Sequence, residues 1–275
     1  MLSFRERALL RLQNGLGRMA AVLLAPLYFA LIRLMGYRIR NLRTVRALCR
    51  REFQQHEGPW LICANHLTMV DSALLSYAML SLWTHLHHYR WLPWNLPERS
   101  NFRNPFLVLL CYLSKCIPVQ RGGPRDDMKK ALAKCAYLLS RKQGLLIFPE
   151  GGRSRTGRVE RENFSYGAGR FVEESGDHLR ILCLYLRGDG QTSYGRMPAY
   201  GERFTVLVDV FQAERSELRG LRAQRDYAGQ IIGRLAEMEE RYDDLYRQRH
   251  CGSDRSRQHR KEQGPPVSAA GIHPL

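Results

Sequence analysis

Acidic residues are scarce in this 275-residue chain: 26 Asp and Glu stand against 43 Lys and Arg, for a formal net charge of +17. Such an imbalance attracts polyanions, whether nucleic acid, anionic lipid headgroups or an acidic carrier protein. Cysteine patterning is also missing. The seven Cys, at positions 49, 63, 111, 116, 135, 183 and 251, are odd in number and show no CxxC spacing. Several lie in apolar runs such as Leu61-Ile62-Cys63-Ala64, so they read as reduced core thiols in a cytoplasmic setting rather than as a disulfide framework. No internal repeat is present. No uninterrupted apolar stretch reaches the roughly 20 residues that span a bilayer. The longest, Met19 to Ile32, is 14 residues and contains Pro26, and only by including Arg33 does it approach spanning length. Arg33, Arg38 and Arg40 follow it and no small-residue cleavage site is evident, which argues against a cleaved signal peptide.

What is present is unevenly placed. Residues 1–51 hold eleven Arg and one acidic residue, Glu6, a net of +10. Arg18 and Arg33 bracket the apolar run. Each Lys or Arg near anionic lipid contributes about 1 kcal/mol, so the pattern reads as a monotopic or re-entrant membrane-surface element. A buried core helix is the competing reading. A nucleic-acid binder interleaves aromatics with its basic residues on a folded face, and no nucleic acid is expected as a partner.

Residues 1–57 are expected to be a helical, membrane-associating segment, ended by Gly58-Pro59. Short apolar runs follow at Trp60–Ala64, Cys116–Gln120, Gly144–Phe148, Ile181–Leu186 and Phe204–Phe211. Their length and near-continuous apolarity suit strands buried on both faces. Between them Asp126–Lys142 has helical periodicity, and Ala213–Arg249 carries Ile231, Leu235, Met238, Tyr242 and Leu245 at spacings of three or four. The expectation is an α/β fold with a central, largely parallel or mixed sheet flanked by helices. It would occupy residues 58–250 as one domain, with a polar, aperiodic and disordered tail at 251–275.

His66 and Asp71 come directly after the strand Trp60–Ala64, and carboxyl ends of strands are where reactive groups collect in α/β sheets. A histidine there can take a proton from a hydroxyl if a carboxylate fixes its tautomer. In a continuous helix residues five apart are about 140° apart. The pair therefore meets only if His66 sits on the strand-to-helix loop and Asp71 in the first helical turn. A second segment, Phe148-Pro149-Glu150-Gly151-Gly152-Arg153-Ser154-Arg155, also follows an apolar run. Its glycines allow close backbone approach to an anion, and its arginines supply planar forks of donors for phosphate.

These segments together resemble the glycerolipid acyltransferase superfamily, the lysophosphatidic acid acyltransferase-like enzymes. The NHxxxxD box matches Asn65–Asp71 and the FPEGTRS box matches Phe148–Ser154, with Gly152 where Thr is usual. The intervening box matches Ile117-Pro118-Val119-Gln120-Arg121, whereas the fourth, expected at Ile181–Leu186, has Cys183 and no Pro. The resemblance covers roughly residues 58–211. It implies that His66 is the general base, oriented by Asp71, and that no covalent acyl-enzyme forms. It implies that Asn65, Glu150, Gly151, Gly152, Arg153 and Arg121 bind substrate. The reaction implied moves a fatty acyl group from acyl-CoA or acyl-ACP to the hydroxyl of a lysophospholipid such as 1-acyl-glycerol-3-phosphate. No cofactor or metal is implied beyond the thioester co-substrate. The partners are then a membrane lipid acceptor, coenzyme A or acyl carrier protein, and the membrane surface, with the active site on the cytoplasmic side of the cell membrane. The departures at Gly152 and Cys183 leave open a specialised acceptor, an ornithine-type lyso-lipid or polyene conjugate, and a catalytically inactive membrane-binding relative.

Other features carry less. His85, His87 and His88 cluster, but no carboxylate or Cys sits at helpful spacing for zinc. Trp83, Trp91 and Trp94 suit an interfacial patch, part of an acyl tunnel, or ordinary core packing.

Overall fold

The computed structural model describes residues 2–101, 104–120 and 122–262. Six strands form one sheet: β1 (Arg38–Ile39), β2 (Trp60–Ala64), β3 (Trp94–Asn95), β4 (Gly144–Ile147), β5 (Arg180–Gly188) and β6 (Arg203–Phe211), in the order β1-β6-β5-β2-β4-β3. Every neighbouring pair is parallel except β5–β6, so the sheet is mixed. β2 is paired on both sides, to β4 and β5, and all five of its residues are buried. That double burial explains its unbroken apolar sequence.

Alternate residues of the strands face opposite helical layers. Leu61, Cys63, Leu145, Ile181 and Cys183 pack with Cys135, Phe171, Ile231 and Leu235. These come from α6 (Arg125–Ser140), α7 (Gly167–Ser175) and α8 (Leu221–Glu262). Ile62, Ala64, Leu146, Leu182 and Leu184 pack with Val45, Cys49, Leu74, Leu75 and Phe29. These come from α2 (Leu42–Gln55), α3 (Asp71–Met79) and the end of α1 (Phe4–Leu34). Two short helices, α4 (Leu82–His87) and α5 (Pro105–Leu113), lie beside α1. Cys49, Cys63, Cys111, Cys135 and Cys183 are free and buried, and Cys116 is free and half-buried.

The segment 1–57 is not continuously helical. β1 interrupts it and pairs with β6, seated by a close backbone approach: Gly36 has φ +69°, and a Cβ there would lie 3.0 Å from Gly201 Cα. Cys116–Gln120 does not form a strand. It makes isolated bridges, Asn95 to Cys116 and Glu98 to Val119, because Pro97 has no N–H to give the Ile117 carbonyl in the middle of the ladder. The last helix runs through Glu262, beyond the point where apolar periodicity stops; only its final stretch, Arg255 to Glu262, is rich in the good helix formers Arg, Gln, Lys and Glu. Residues 263–275 of the expected tail lie outside the described residues.

α1 has three faces. Leu10, Gln13, Gly17, Ala21, Ala25, Phe29 and Ile32 are buried against the body along the length of the helix. Leu9, Leu12, Leu16, Met19, Leu23 and Leu27 form an exposed apolar ridge. Arg7, Arg11 and Arg18, at spacings of four and seven, form an exposed basic stripe on a third side of the helix.

Candidate active site

β2 ends at Ala64 and α3 begins at Asp71, so the HxxxxD segment lies across the strand-to-helix junction that the spacing demands. His66 Nδ1 is 3.0 Å from Asp71 Oδ2. Asp71 is buried and accepts from the backbone N–H of Leu67 at 2.6 Å and of Thr68 at 2.8 Å, and from the Thr68 hydroxyl. One carboxylate therefore closes the loop and holds the imidazole; its place in the first turn of α3 adds a favourable interaction with the helix dipole. The His66 ring stacks on Phe148, with centroids 4.0 Å apart and planes 16° apart. Its side chain is 17 % exposed. With Nδ1 turned to Asp71, Nε2 is the nitrogen available to a substrate hydroxyl.

The segment after β4 grips the backbone of His66 from both directions. His66 N–H donates to Glu150 Oε1 at 2.9 Å, and Ser154 N–H donates to the His66 carbonyl at 2.8 Å. Glu150 Oε2 accepts from Glu160 N–H at 3.3 Å. Burial is the largest influence on this carboxyl and pushes it up to about 7, against the two backbone donors that pull it down. The neighbouring 157–160 stretch is anchored on α8, where Glu239 accepts from Val159 N–H and the Tyr185 hydroxyl, each at 3.2 Å.

Gly151 turns with φ +73° and donates to the Phe148 carbonyl at 3.0 Å. Around Gly152 there is open space, with no atom within 4 Å of a built Cβ. Packing therefore does not require glycine where the superfamily box has Thr. Arg153 Nη1 donates to the Gly195 carbonyl at 3.0 Å, and its guanidinium lies 5.9 Å from the Tyr194 ring centroid. Arg121 lies outside the described residues. Asn65 is tied into the sheet. Its amide donates to the Leu186 carbonyl at 3.0 Å and accepts from Leu186 N–H at 2.7 Å. It bridges β2 to β5 where the chain leaves the sheet, and is buried. Glu150, likewise, has both oxygens engaged by backbone donors.

Sequence reasoning missed a third segment, residues 189–202 between β5 and β6. Gly195 N–H donates to the Leu67 carbonyl at 3.0 Å, and Met69 N–H donates to the Arg196 carbonyl at 3.1 Å. The loop thus roofs the HxxxxD segment and takes the Arg153 guanidinium. Its Gly-Gln-Thr-Ser-Tyr-Gly composition marks a loop, but no local pattern says where such a loop folds.

The three clustered histidines do not converge. His85 is buried against Phe29, and burial holds it down at about 4. His87 stacks on Trp83 and His88 on Trp91. Among the described residues no group of three or more His, Cys, Asp or Glu is placed to hold a metal. The tryptophans divide as well, Trp94 being fully buried and Trp83 68 % exposed.

A mixed α/β sheet gathers a buried carboxylate, a histidine and a Gly-Arg loop at the carboxyl ends of its central strands, an arrangement able to take a proton from a bound hydroxyl. The family model Acyltransferase matches residues 38–184, more than half of the chain and all of the His66 and Glu150 segments. The chain belongs to the Acyltransferase family, whose members transfer acyl groups. No curated protein matches it.

Proposed function

We propose that the protein moves a fatty acyl group from acyl-CoA or acyl-ACP to the hydroxyl of a lysophospholipid such as 1-acyl-glycerol-3-phosphate. His66 Nε2 takes the acceptor's hydroxyl proton while Asp71 fixes the tautomer and stabilises the imidazolium. The oxygen attacks the thioester carbonyl, the tetrahedral intermediate expels the thiolate, and the imidazolium returns the proton to it. Arg153, with Arg121, meets the acceptor's phosphate; Glu150 and Asn65 act by holding the loop. The observation that carries this reading is the 3.0 Å contact between His66 and a buried Asp71 at the end of β2.

The protein works on the cytoplasmic face of the cell membrane, with α1 lying in the plane of the leaflet. The body covers one side of α1 from Leu10 to Ile32. The opposite ridge is then offered along the membrane surface rather than across it, with the Arg7–Arg11–Arg18 stripe at headgroup level.

Purified protein incubated with labelled acyl-CoA or acyl-ACP and a panel of lysolipids tests the chemistry. His66→Ala is expected to lower transfer by about 100-fold or more while folding and vesicle binding persist. An undiminished rate would overturn the mechanism, whereas no transfer by the wild-type protein to any acceptor would favour the inactive membrane-binding relative. The open space at Gly152 favours one second reading, a specialised acceptor such as an ornithine-type lyso-lipid or polyene conjugate. Use of such an acceptor with lysophosphatidate ignored would establish it.

A further inference from the structure

Helix α5 carries a surface that the folded chain leaves uncovered. Pro105 through Leu109 are all exposed, and Cys111 is the buried residue of the helix. Phe106 is 69 % exposed and Leu109 54 %. A helix that packs on one side and meets water on the other alternates apolar and polar positions. From Pro105 to Cys111 there is no such alternation, since the run is Pro-Phe-Leu-Val-Leu-Leu-Cys. Its first turns are apolar all the way round. That suits a medium surrounding a helix end and not a protein partner, which covers one side.

Part of the backbone of this tip is capped. Unsatisfied N–H groups are expensive in hydrocarbon. Pro105 carries none, Phe106 N–H donates to Asn104 Oδ1 at 2.8 Å, and Val108 N–H donates to the Asn104 carbonyl at 3.0 Å.

Placement supplies the second line of argument. Gln13 Nε2 on α1 donates to the carbonyls of Tyr112 and Cys116, each at 2.9 Å. A crevice of about 290 Å3 between the helices is lined by Leu9, Leu10, Val108, Tyr112 and Ile117, with Glu6, Gln13 and Lys134 also at its wall. The N-terminal end of the α1 ridge and the tip of α5 thus flank one crevice, and Arg7, Arg11 and Arg18 are exposed on another side of α1. Positive charge on the same helix as an apolar ridge matches an anionic leaflet.

We infer that α5 is a second membrane-entering element: Pro105–Leu109 inserts into the hydrocarbon of the leaflet on which α1 lies. The inference rests on the in-plane reading of α1 and is independent of the acyl-transfer chemistry.

Full-length protein is mixed with vesicles of phosphatidylethanolamine and phosphatidylglycerol, and bound protein is measured by flotation. Phe106→Asp combined with Leu109→Asp, with α1 intact, is expected to weaken vesicle affinity about tenfold or more. The thermal midpoint should not move, because both side chains are exposed. A separate Phe106→Trp variant should show blue-shifted emission that bromine-labelled acyl chains quench. If wild-type protein ignores the vesicles, the α1 reading and this one fall together. If it binds and the double variant binds equally, with no quenching of the Phe106→Trp indole, α5 alone is excluded. A lipid-free dimer that the Asp variants dissolve would assign the surface to a second copy of the chain and overturn the inference.

Discussion

Glu150→Gln separates two roles for the carboxylate after β4, contact with substrate and support of His66. The wild-type carboxyl sits at about 7 when folded, against an ordinary value of 4.5. Its folded value is raised, so the protonated form is favoured by folding. That contribution is fully present below pH 4.5 and lost as pH rises through about 7. The shift corresponds to about 3 kcal/mol lost across that window. Glutamine removes this slope but puts an NH2, which cannot accept, where the carboxyl keeps a second accepting oxygen even when protonated. Either His66 N–H or Glu160 N–H then loses its partner, at about 1–3 kcal/mol. The variant should therefore be less stable at pH 5 and recover most or all of the deficit by pH 8. Urea denaturation at pH 5, 6, 7 and 8 measures the difference. A wild-type-to-variant gap that stays constant over this range would refute the reasoning. Kinetics supplies a second readout, since loosening the His66 backbone lowers kcat with KM little changed. A raised KM at unchanged kcat would instead make Glu150 the ligand contact that its box implies.

Asp71→Asn should lower turnover on the order of 1,000-fold or more, because the imidazole loses its orienting anion. It should also cost about 2 kcal/mol in urea denaturation, because Leu67 and Thr68 N–H share the same oxygen; a rate within tenfold of wild type would count against the pair. Gly17→Ala places a Cβ 2.5 Å from the Tyr89 hydroxyl and 2.7 Å from the Leu113 carbonyl. It should push α1 off α5 and destabilise the fold by about 1–3 kcal/mol, read from the thermal midpoint. Gly152→Thr meets no neighbour, so stability should change by less than about 0.5 kcal/mol. The lysolipid panel should then show a changed acceptor preference.

The legible parts of the fold were those where one residue's environment is set by its near neighbours in sequence. β2, β4 and β5 are buried on both faces or nearly so and β6 is half-buried over most of its length, and their apolar runs declare them. β1 and β3 are two residues each, too short for any period, and exist because β6 and β4 offer an edge. The His66–Asp71 geometry was legible for a steric reason, because residues five apart cannot face each other within one helix. The uses of Asn65 and Glu150 were not. Both side chains bond to backbone far along the chain, Leu186 for one and His66 for the other, and motif membership alone does not distinguish a ligand contact from a strut. The 189–202 loop was hidden for the same reason, since its contacts with Leu67 and Met69 leave no imprint on its own composition.

This division bears on how the chemistry is isolated from the fold. Asp71 receives two backbone donors, a hydroxyl and the imidazole, and Glu150 receives two backbone donors. Asn65 completes the ladder between β2 and β5. Substituting any of them perturbs the loop before it perturbs proton transfer, so lost activity alone assigns no chemical role. His66 differs. Its side chain contributes the contact with Asp71 and the stack on Phe148, while its backbone groups, the ones that tie the loop to Glu150 and Ser154, survive replacement of the ring. The position where a substitution changes chemistry with least change in structure is therefore the histidine itself. A reading of this site as a base with its orienter stands or falls on His66 variants whose folding is shown to be intact.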